Sequence, residues 1–221
     1  MTRNLEYRIY KRKDCVIFRK TKEQFGGLSN MAAGFPIVLN GVKILTSEAI
    51  YQACRYPQSQ EIQRLIIEQK SPMTAKMKSK MYLAETRDDW DYVNTRIMRW
   101  VLGIKLAQNW DSFGNLLLST GDKPIVEESM RDKFWGAKSI NDEELEGANI
   151  LGRLLMEIRE KLRSSDYLQL LIVNPPNIPR FFLYGMVIDK YEASDSQKPL
   201  VGSPQNKVNL INGCLFEGFK D

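Results

Sequence analysis

The sequence contains no histidine. Histidine is the side chain whose ordinary pKa lies closest to neutral pH, so the most common general base of enzymes is missing. A Ser-His-Asp or Cys-His site is therefore excluded. Any acid–base chemistry must come from Asp, Glu, Lys, Tyr or Cys side chains.

Cysteine is scarce as well, with Cys15, Cys54 and Cys214 far apart in the sequence. Their spacing matches no zinc motif, and with no histidine available we expect neither a metal site nor a cofactor. An odd, sparse set of cysteines fits a reducing compartment. The sequence also lacks a P-loop, a GxGxxG fingerprint and an HExxH motif.

Long apolar runs are missing too. No segment approaches the roughly 18 apolar residues of a membrane helix, and residues 1–14 are charged without the apolar centre of a signal peptide. We therefore expect a cytoplasmic protein with no membrane partner.

The chain has 221 residues, of which 43% are hydrophobic and 10% aromatic. This is enough for one sizeable core. The net charge is +5, with a sequence pI near 9.0, which mildly favours anionic partners such as phosphates or nucleic acid.

Hydrophobic periodicity and turn signals predict an α+β fold that is mostly helical with a small sheet. Asn40-Gly41 joins two apolar runs and predicts a β-hairpin. The predicted helices cover residues 47–55, 59–69 and 112–118, with three more beginning at 72, at 88 or 89, and near 147. The predicted strands cover residues 15–18, 37–39, 42–45 and 124–126, with strand-like runs at 167–173 and 181–188 and a loop at 192–207.

The stretch from 120 to 162 is the most informative part of the chain. A short apolar run is followed by mixed charges, then by Phe134, Trp135 and Gly136, and after a polar loop by a long amphipathic helix. Carboxylates close to a tryptophan and a glycine, between a strand and a buried helix, indicate a pocket rather than a plain surface.

Each charged or aromatic candidate also has an ordinary structural explanation. Glu48 lies in the first turn of a helix, where the helix dipole stabilises a carboxylate. Glu157 is placed to pair with Lys161 at i+4. The corresponding explanations for the remaining candidates are an ion pair of Asp132 with Arg131 or Lys133, a solvated basic face around Lys76, and a position of Trp90 over the core rather than in a cleft.

Seven short segments, in this order, resemble the NADAR family, also called YbiA-like. The resemblance covers residues 18–162. The segments are LSN at 28–30, TSEAIYQA at 46–53, SP at 71–72 followed by AK at 75–76, DW at 89–90, TGD at 120–122, ES at 128–129 with Asp132 and WG at 135–136, and NILG at 149–152 followed by MEIR at 156–159. The family pattern usually has a histidine directly after the glutamate of its first helix, where this chain has Ala49.

The resemblance implies a mostly helical fold with a small sheet and cleavage of an N-glycosidic bond. Family members hydrolyse either a ribosylamino intermediate of riboflavin synthesis or ADP-ribose attached to guanine bases. The second activity occurs in antitoxins that reverse the action of DarT-type DNA ADP-ribosylating toxins. A cognate DarT-type toxin is therefore a possible partner to test.

The resemblance also suggests roles for individual residues. Glu48 and Asp132 are the expected catalytic carboxylates, Trp90 would stack on the base or nucleotide, and Lys76 would contact a phosphate or ribose oxygen. Glu157 is expected to act behind the site. The other expected substrate-binding residues are Asn30, Gln52, Trp135 and Asn149, with Gly136 and Gly152 allowing close approach of the backbone.

The two substrates differ in charge, and a basic protein suits polyanionic ADP-ribosyl DNA better than a small ribosylamino phosphate. Two further classes are a module that binds ADP-ribose without cleaving it and an antitoxin that masks a toxin surface. We expect a catalytic domain at 1–165 and an extension packed on it at 166–221. Within that extension Arg180, Phe181 and Phe182 are candidates for a DNA- or partner-binding surface.

Overall fold

Six α-helices occur in residues 6–194, the part of the chain that the computed structural model describes. The longest, α4, is central, and α1, α5 and α6 pack against it. Its predicted apolar stripe is buried from Trp90 to Leu106. The helices are α1 (Ser47–Ala53), α2 (Gln60–Ile67), α3 (Pro72–Lys80), α4 (Trp90–Gln108), α5 (Trp110–Leu118) and α6 (Ile150–Arg163).

The strands of this region are short and form five small sheets. One sheet has the order β1-β7-β6, and the others are the pairs β2-β5, β3-β4, β8-β11 and β9-β10. The strands are β1 (Arg8–Lys11), β2 (Val16–Phe18), β3 (Ile37–Leu39), β4 (Val42–Ile44), β5 (Ile125–Glu127), β6 (Lys138–Ser139), β7 (Glu144–Gly147), β8 (Ile172–Val173), β9 (Phe182–Leu183), β10 (Met186–Val187) and β11 (Tyr191–Glu192).

Local sequence signals explain how α1 is positioned. The predicted hairpin β3-β4 forms, with φ of 49° at Asn40 and 75° at Gly41, as the turn type of Asn-Gly requires. The chain then enters α1, where the Thr46 hydroxyl accepts a hydrogen bond from the Ala49 amide. Hairpin and cap together place Glu48 in the first turn of α1, with its side chain in the interior.

Strands β2 and β5 form the one parallel pair among the described strands, with Phe18 opposite Glu127. Helix α6 packs directly on β5. It begins after Asn149, a buried residue with φ of 48°. Two cores result, a large one around α4 and a smaller one in which Val126 packs with Tyr10 and Leu145.

Two sequence predictions need correction in the tail. Residues Tyr167–Leu171 form a 3-10 helix, and only Ile172–Val173 is strand. The run at 181–188 is broken into the hairpin β9-β10 by a turn at Tyr184 and Gly185, both with positive φ. The loop predicted at 192–207 begins with a residue of β11, and its part beyond residue 194 lies outside the described residues.

The expected binding surface at 180–182 is also corrected. Phe181 is buried, with its ring edge-on to Trp100 at 4.8 Å between centroids. Phe182 is partly buried, and only Arg180 is exposed. This aromatic pair attaches the tail to α4 because burying two rings against each other is favourable.

Candidate active site

A cleft of about 700 Å³ opens between α1, α3, the start of α4 and the segment that follows β5. Seven residues predicted from the sequence line it together: Asn30, Glu48, Gln52, Lys76, Trp90, Asp132 and Trp135. They come from segments that are distant in the sequence. The structure therefore brings both predicted catalytic carboxylates and the predicted aromatic residue to one place.

Glu48 is 5% exposed and is held by specific partners. The Gln52 amide donates to its Oε1 at 2.9 Å, and the Lys76 ammonium lies 3.6 Å from the same oxygen. Gln52 is fixed in turn, because its own carbonyl accepts a 2.7 Å hydrogen bond from the Ser79 hydroxyl. Burying a carboxylate without such partners would be costly. Side-chain partners therefore stabilise the Glu48 carboxylate in addition to the helix dipole.

Asp132 is fixed by the backbone that follows it. Its Oδ1 accepts hydrogen bonds from the amides of Phe134 at 2.8 Å and Trp135 at 2.9 Å. An ion pair with Lys133 is not formed, because Lys133 binds Glu146 instead. The carboxylate is therefore held at the cleft wall in one orientation.

Aromatic rings make up much of the cleft wall. The Tyr51 ring lies 5.1 Å from Trp90 and 5.6 Å from Trp135, measured between centroids. The Arg55 guanidinium lies 4.7 Å from the centre of the Trp90 ring, a favourable cation–π distance. Trp90 is 7% exposed, so it also supports the wall, and its stacking on a base stays a prediction.

Two polar atoms at the cleft have no hydrogen-bond partner among the described residues. They are the side-chain oxygen of Asn30 and the Nε of Arg55. The Asn30 amide nitrogen is bound to the sulfur of Met98 at 2.9 Å, which leaves the oxygen as the available acceptor. Buried polar atoms without partners are rare. We expect polar groups of the substrate to form hydrogen bonds with these two atoms.

Glu127 lines the same cleft and was not among the residues predicted from the sequence. It is the last residue of β5. Burial, and then the carboxylates of Glu48 and Asp132, raise the pKa of Glu127 to about 7, with Lys76 acting in the opposite direction. The signal in the sequence is a glutamate directly after the fully buried pair Ile125-Val126.

Three predicted residues lie behind the cleft wall rather than on it. Asn149 is fully buried, and its side chain binds the Glu127 amide at 3.1 Å and the Ile125 carbonyl at 2.8 Å. A Cβ on Gly152 would lie 2.1 Å from the Ile125 oxygen, and a Cβ on Gly136 would lie 2.5 Å from the Glu127 oxygen. All three hold β5 in place, and a direct contact with substrate stays a prediction.

Glu157 lies outside the cleft. Its carboxylate binds Arg99 at 3.0 Å and Lys161 at 3.0 Å. This is the ordinary i+4 pair that the spacing in the sequence allows, extended by an arginine from α4. Ala49, which replaces the histidine of the family pattern, is buried in the main core.

Within residues 6–194, no three Cys, Asp or Glu side chains are grouped closely enough to bind a metal ion. In the same region, no helix is both long and apolar enough to cross a lipid bilayer.

Comparison with known proteins gives a consistent result. The NADAR domain model matches residues 17–163. N-glycosidase YbiA of Escherichia coli (strain K12) is 34% identical over 154 residues, which cover 68% of this chain and 90% of that protein. Riboflavin biosynthesis protein VVA0006 of Vibrio vulnificus is 28% identical over 179 residues, covering 78% of this chain and 46% of that protein.

A solved structure is also similar. The NMR structure of the E. coli protein YbiA has a TM-score of 0.57 and 31% sequence identity, and the match covers 69% of this chain and 90% of that one. The common fold confirms the predicted α+β class, and the tail strands expected after residue 165 are present.

Proposed function

This chain belongs to the NADAR domain family and is an N-glycosidase, and we propose that its substrate is ADP-ribose linked to guanine bases of DNA. The observation that carries the proposal is the convergence of Glu48 and Asp132 in one cleft beside Trp90. Breaking a C1′–N bond places positive charge on the ribose ring, and carboxylates beside that carbon stabilise the transition state.

The two carboxylates receive different roles. We assign activation of the attacking water to Glu48, because Gln52 fixes one of its oxygens from the side. Asp132 stabilises the charge on the sugar, since backbone amides hold it rigidly at the cleft wall. Rigid placement matters because the site then needs little rearrangement when charge develops.

The preference for a nucleic-acid substrate is supported by exposed basic side chains at the cleft, where they lie beside the carboxylates. Lys76 and the exposed Lys80 line it, and the exposed Arg131 directly precedes Asp132. The net charge of the chain is +5. A DNA backbone carries a phosphate at every nucleotide, so such a rim attracts it. Reversal of a DarT-type modification, and with it an antitoxin role, follows from this substrate.

A second candidate is the ribosylamino-pyrimidine intermediate of riboflavin synthesis. Two observations favour it: the Vibrio relative is named a riboflavin biosynthesis protein, and a cleft of about 700 Å³ is within the usual range for small ligands. Mass spectrometry of the products from both substrates separates the two candidates. We expect free ADP-ribose from guanine-ADP-ribosylated DNA. If only the ribosylamino-pyrimidine is cleaved, the riboflavin intermediate is the substrate instead.

The first test of the site is Glu48→Gln. We expect the rate of ADP-ribose release to fall by a factor of about 10²–10⁴, with binding of ADP-ribosylated oligonucleotide retained because the side chain keeps its size. Glu157→Gln is the matched control and should retain the parent rate, since Glu157 lies outside the cleft. If the parent releases nothing and binds as tightly as Glu48→Gln, the chain is a binding module instead.

A further inference from the structure

Glu127 is held more firmly than a surface carboxylate needs to be. Its amide donates to the Asn149 side chain at 3.1 Å, and its carbonyl accepts from the Ala137 amide at 2.8 Å. The next amide, that of Glu128, donates to the Phe18 carbonyl at 2.9 Å. The backbone on both sides of Glu127 is therefore fixed while its side chain reaches the cleft.

The charges that face Glu127 come from three different elements. Glu48 approaches from α1 and Asp132 from the segment after β5, while Lys76 of α3 provides the opposing positive charge. The other charged side chains of the cleft are Arg55, Lys80 and Asp91. The carboxylates of Glu48 and Asp132 disfavour the ionised form of Glu127, because each additional negative charge raises the cost of the next.

We propose that Glu127 is the general acid that protonates the leaving nitrogen, a role that rests on the proposed N-glycosidase reaction. The C1′–N bond breaks, its electron pair stays on nitrogen, and the Glu127 proton is transferred to that nitrogen. Water forms the new bond to C1′ and gives a proton to the Glu48 carboxylate. One water is consumed, and exchange with solvent returns the proton from Glu48 to Glu127.

The surroundings of Glu127 suit this role. Its pKa of about 7 leaves a large protonated fraction near neutral pH, where an ordinary glutamate would be almost fully ionised. A carboxyl group whose pKa is raised by its surroundings, so that it stays available as a proton donor, is the arrangement expected of a general acid. In the absence of histidine, a glutamate with a raised pKa supplies the missing proton donor.

The test measures kcat and KM of the full chain between pH 5 and 9 for the parent, Glu127→Gln and Glu127→Asp. For the parent we expect kcat to fall as pH rises above about 7, since Glu127 then loses its proton. Glu127→Gln should lower kcat by a factor of about 10²–10⁴, change KM less than about threefold, and abolish this alkaline decline. Glu127→Asp keeps a carboxyl group and should retain the decline at a lower rate.

Glu128→Gln is the matched control. Glu128 directly follows β5, is not among the residues that line the cleft and pairs with Arg12, so its loss should leave kcat and its pH dependence unchanged. A second measurement needs no substrate: carbon NMR of the Glu127 carboxyl in the full chain should show titration near pH 7. A midpoint near pH 4.5, or a Glu127→Gln protein with parental kcat and an unchanged alkaline decline, would overturn the inference. If the parent protein releases no base from either substrate, the proposed N-glycosidase reaction is refuted. The NMR midpoint does not depend on that reaction, so the two failures can be distinguished.

Discussion

Lys105 is a buried charged residue that lies behind the cleft. Its ammonium donates to the carbonyls of Gly27 at 2.8 Å and Ser29 at 3.2 Å, and lies 4.2 Å from the centre of the Phe113 ring. Burial lowers the pKa of Lys105 to about 7. Because Ser29 precedes Asn30, this lysine fixes the part of the wall that presents the unpartnered Asn30 oxygen.

The pH dependence of stability should therefore change in Lys105→Met. In the parent, the unfolded chain holds this proton up to about pH 10, whereas the folded chain releases it near pH 7. Stability then rises with pH between those values, because the unfolded state binds more protons. Urea denaturation should show the parent gaining about 2 kcal/mol over Lys105→Met between pH 7 and pH 9.

Lys161→Met is the control for this prediction, since Lys161 is exposed and pairs with Glu157 on the surface. Its stability relative to the parent should stay constant over the same range. If stability relative to the parent has the same pH dependence in Lys105→Met and Lys161→Met, Lys105 keeps its proton over the whole range.

Glu127 shows where reasoning from single residues ends. Glu48 and Asp132 were predicted because they stand in segments that resemble a family. The chemistry of Glu127 depends on neighbours that reach it only after α1 and the segment following β5 have folded around the cleft. A pKa raised by distant carboxylates is a property of the folded chain, so local sequence gives only the weak signal of a glutamate ending a buried strand.

At the scale of elements, the contact between α6 and β5 positions the cleft from behind. Gly152 allows the helix to lie against the strand, because a Cβ there would be 2.1 Å from the Ile125 oxygen. The Asn149 side chain then bridges the Ile125 carbonyl and the Glu127 amide. Any displacement of α6 therefore moves Glu127.

Gly152→Ala should destabilise the protein despite the better helix propensity of alanine. Overpacking of this kind costs about 1–3 kcal/mol, and an approach of 2.1 Å to a backbone atom places Gly152 at the upper end of that range. After the offset of about 1 kcal/mol from propensity, we expect a net loss of about 2 kcal/mol in urea denaturation. Gly114→Ala in α5 is the matched control, because its Cβ would lie 3.6 Å from Leu106. That variant should be as stable as the parent or slightly more stable. Equal effects at both glycines would contradict the close-contact explanation.

The success of sequence reasoning at this scale depended on how local the signals were. The Asn40-Gly41 hairpin depends on neighbouring residues only, and it was predicted from the sequence. Strands β6 and β7 were missed within a predicted polar loop because their charged residues give no apolar alternation. Strand β7 pairs with β1 on one side and with β6 on the other, and its pairing with β1 is decided by backbone hydrogen bonds between distant segments.

At the scale of the whole molecule, residues 166–194 cover one side of the core. Phe181 packs against Trp100 of α4, and β8 lies beside the same helix. Five further tail residues are buried in the main core: Leu171, Ile178, Leu183, Ile188 and Ala193. The NADAR match ends at residue 163, and the predicted boundary at 165 stays a prediction. The apolar runs of the tail could be recognised in the sequence. The surface of the core that they cover could not be predicted from it.

The attachment of this tail depends on Arg87, whose side chain is fully buried. The guanidinium donates to the Pro179 carbonyl at 2.6 Å and to Asp89 at 3.0 Å, and the Arg87 amide donates to the Arg55 carbonyl. One residue thus joins the end of the α1 segment, the start of α4 and the tail.

Arg87→Met should therefore loosen the tail and destabilise the whole chain. The substitution leaves the Asp89 carboxylate, whose side chain is 30% exposed, and the carbonyl of the exposed residue Pro179 without their buried partner. A hydrogen bond to a charged group contributes about 1.5–3 kcal/mol, so we expect a loss of roughly 1.5–3 kcal/mol in urea denaturation and faster proteolysis within residues 174–180. Arg96→Met is the control, because Arg96 binds the Asn177 carbonyl from an exposed position and should cost less than about 1 kcal/mol. If both variants lose the same stability, the buried guanidinium is not what holds the tail to the core.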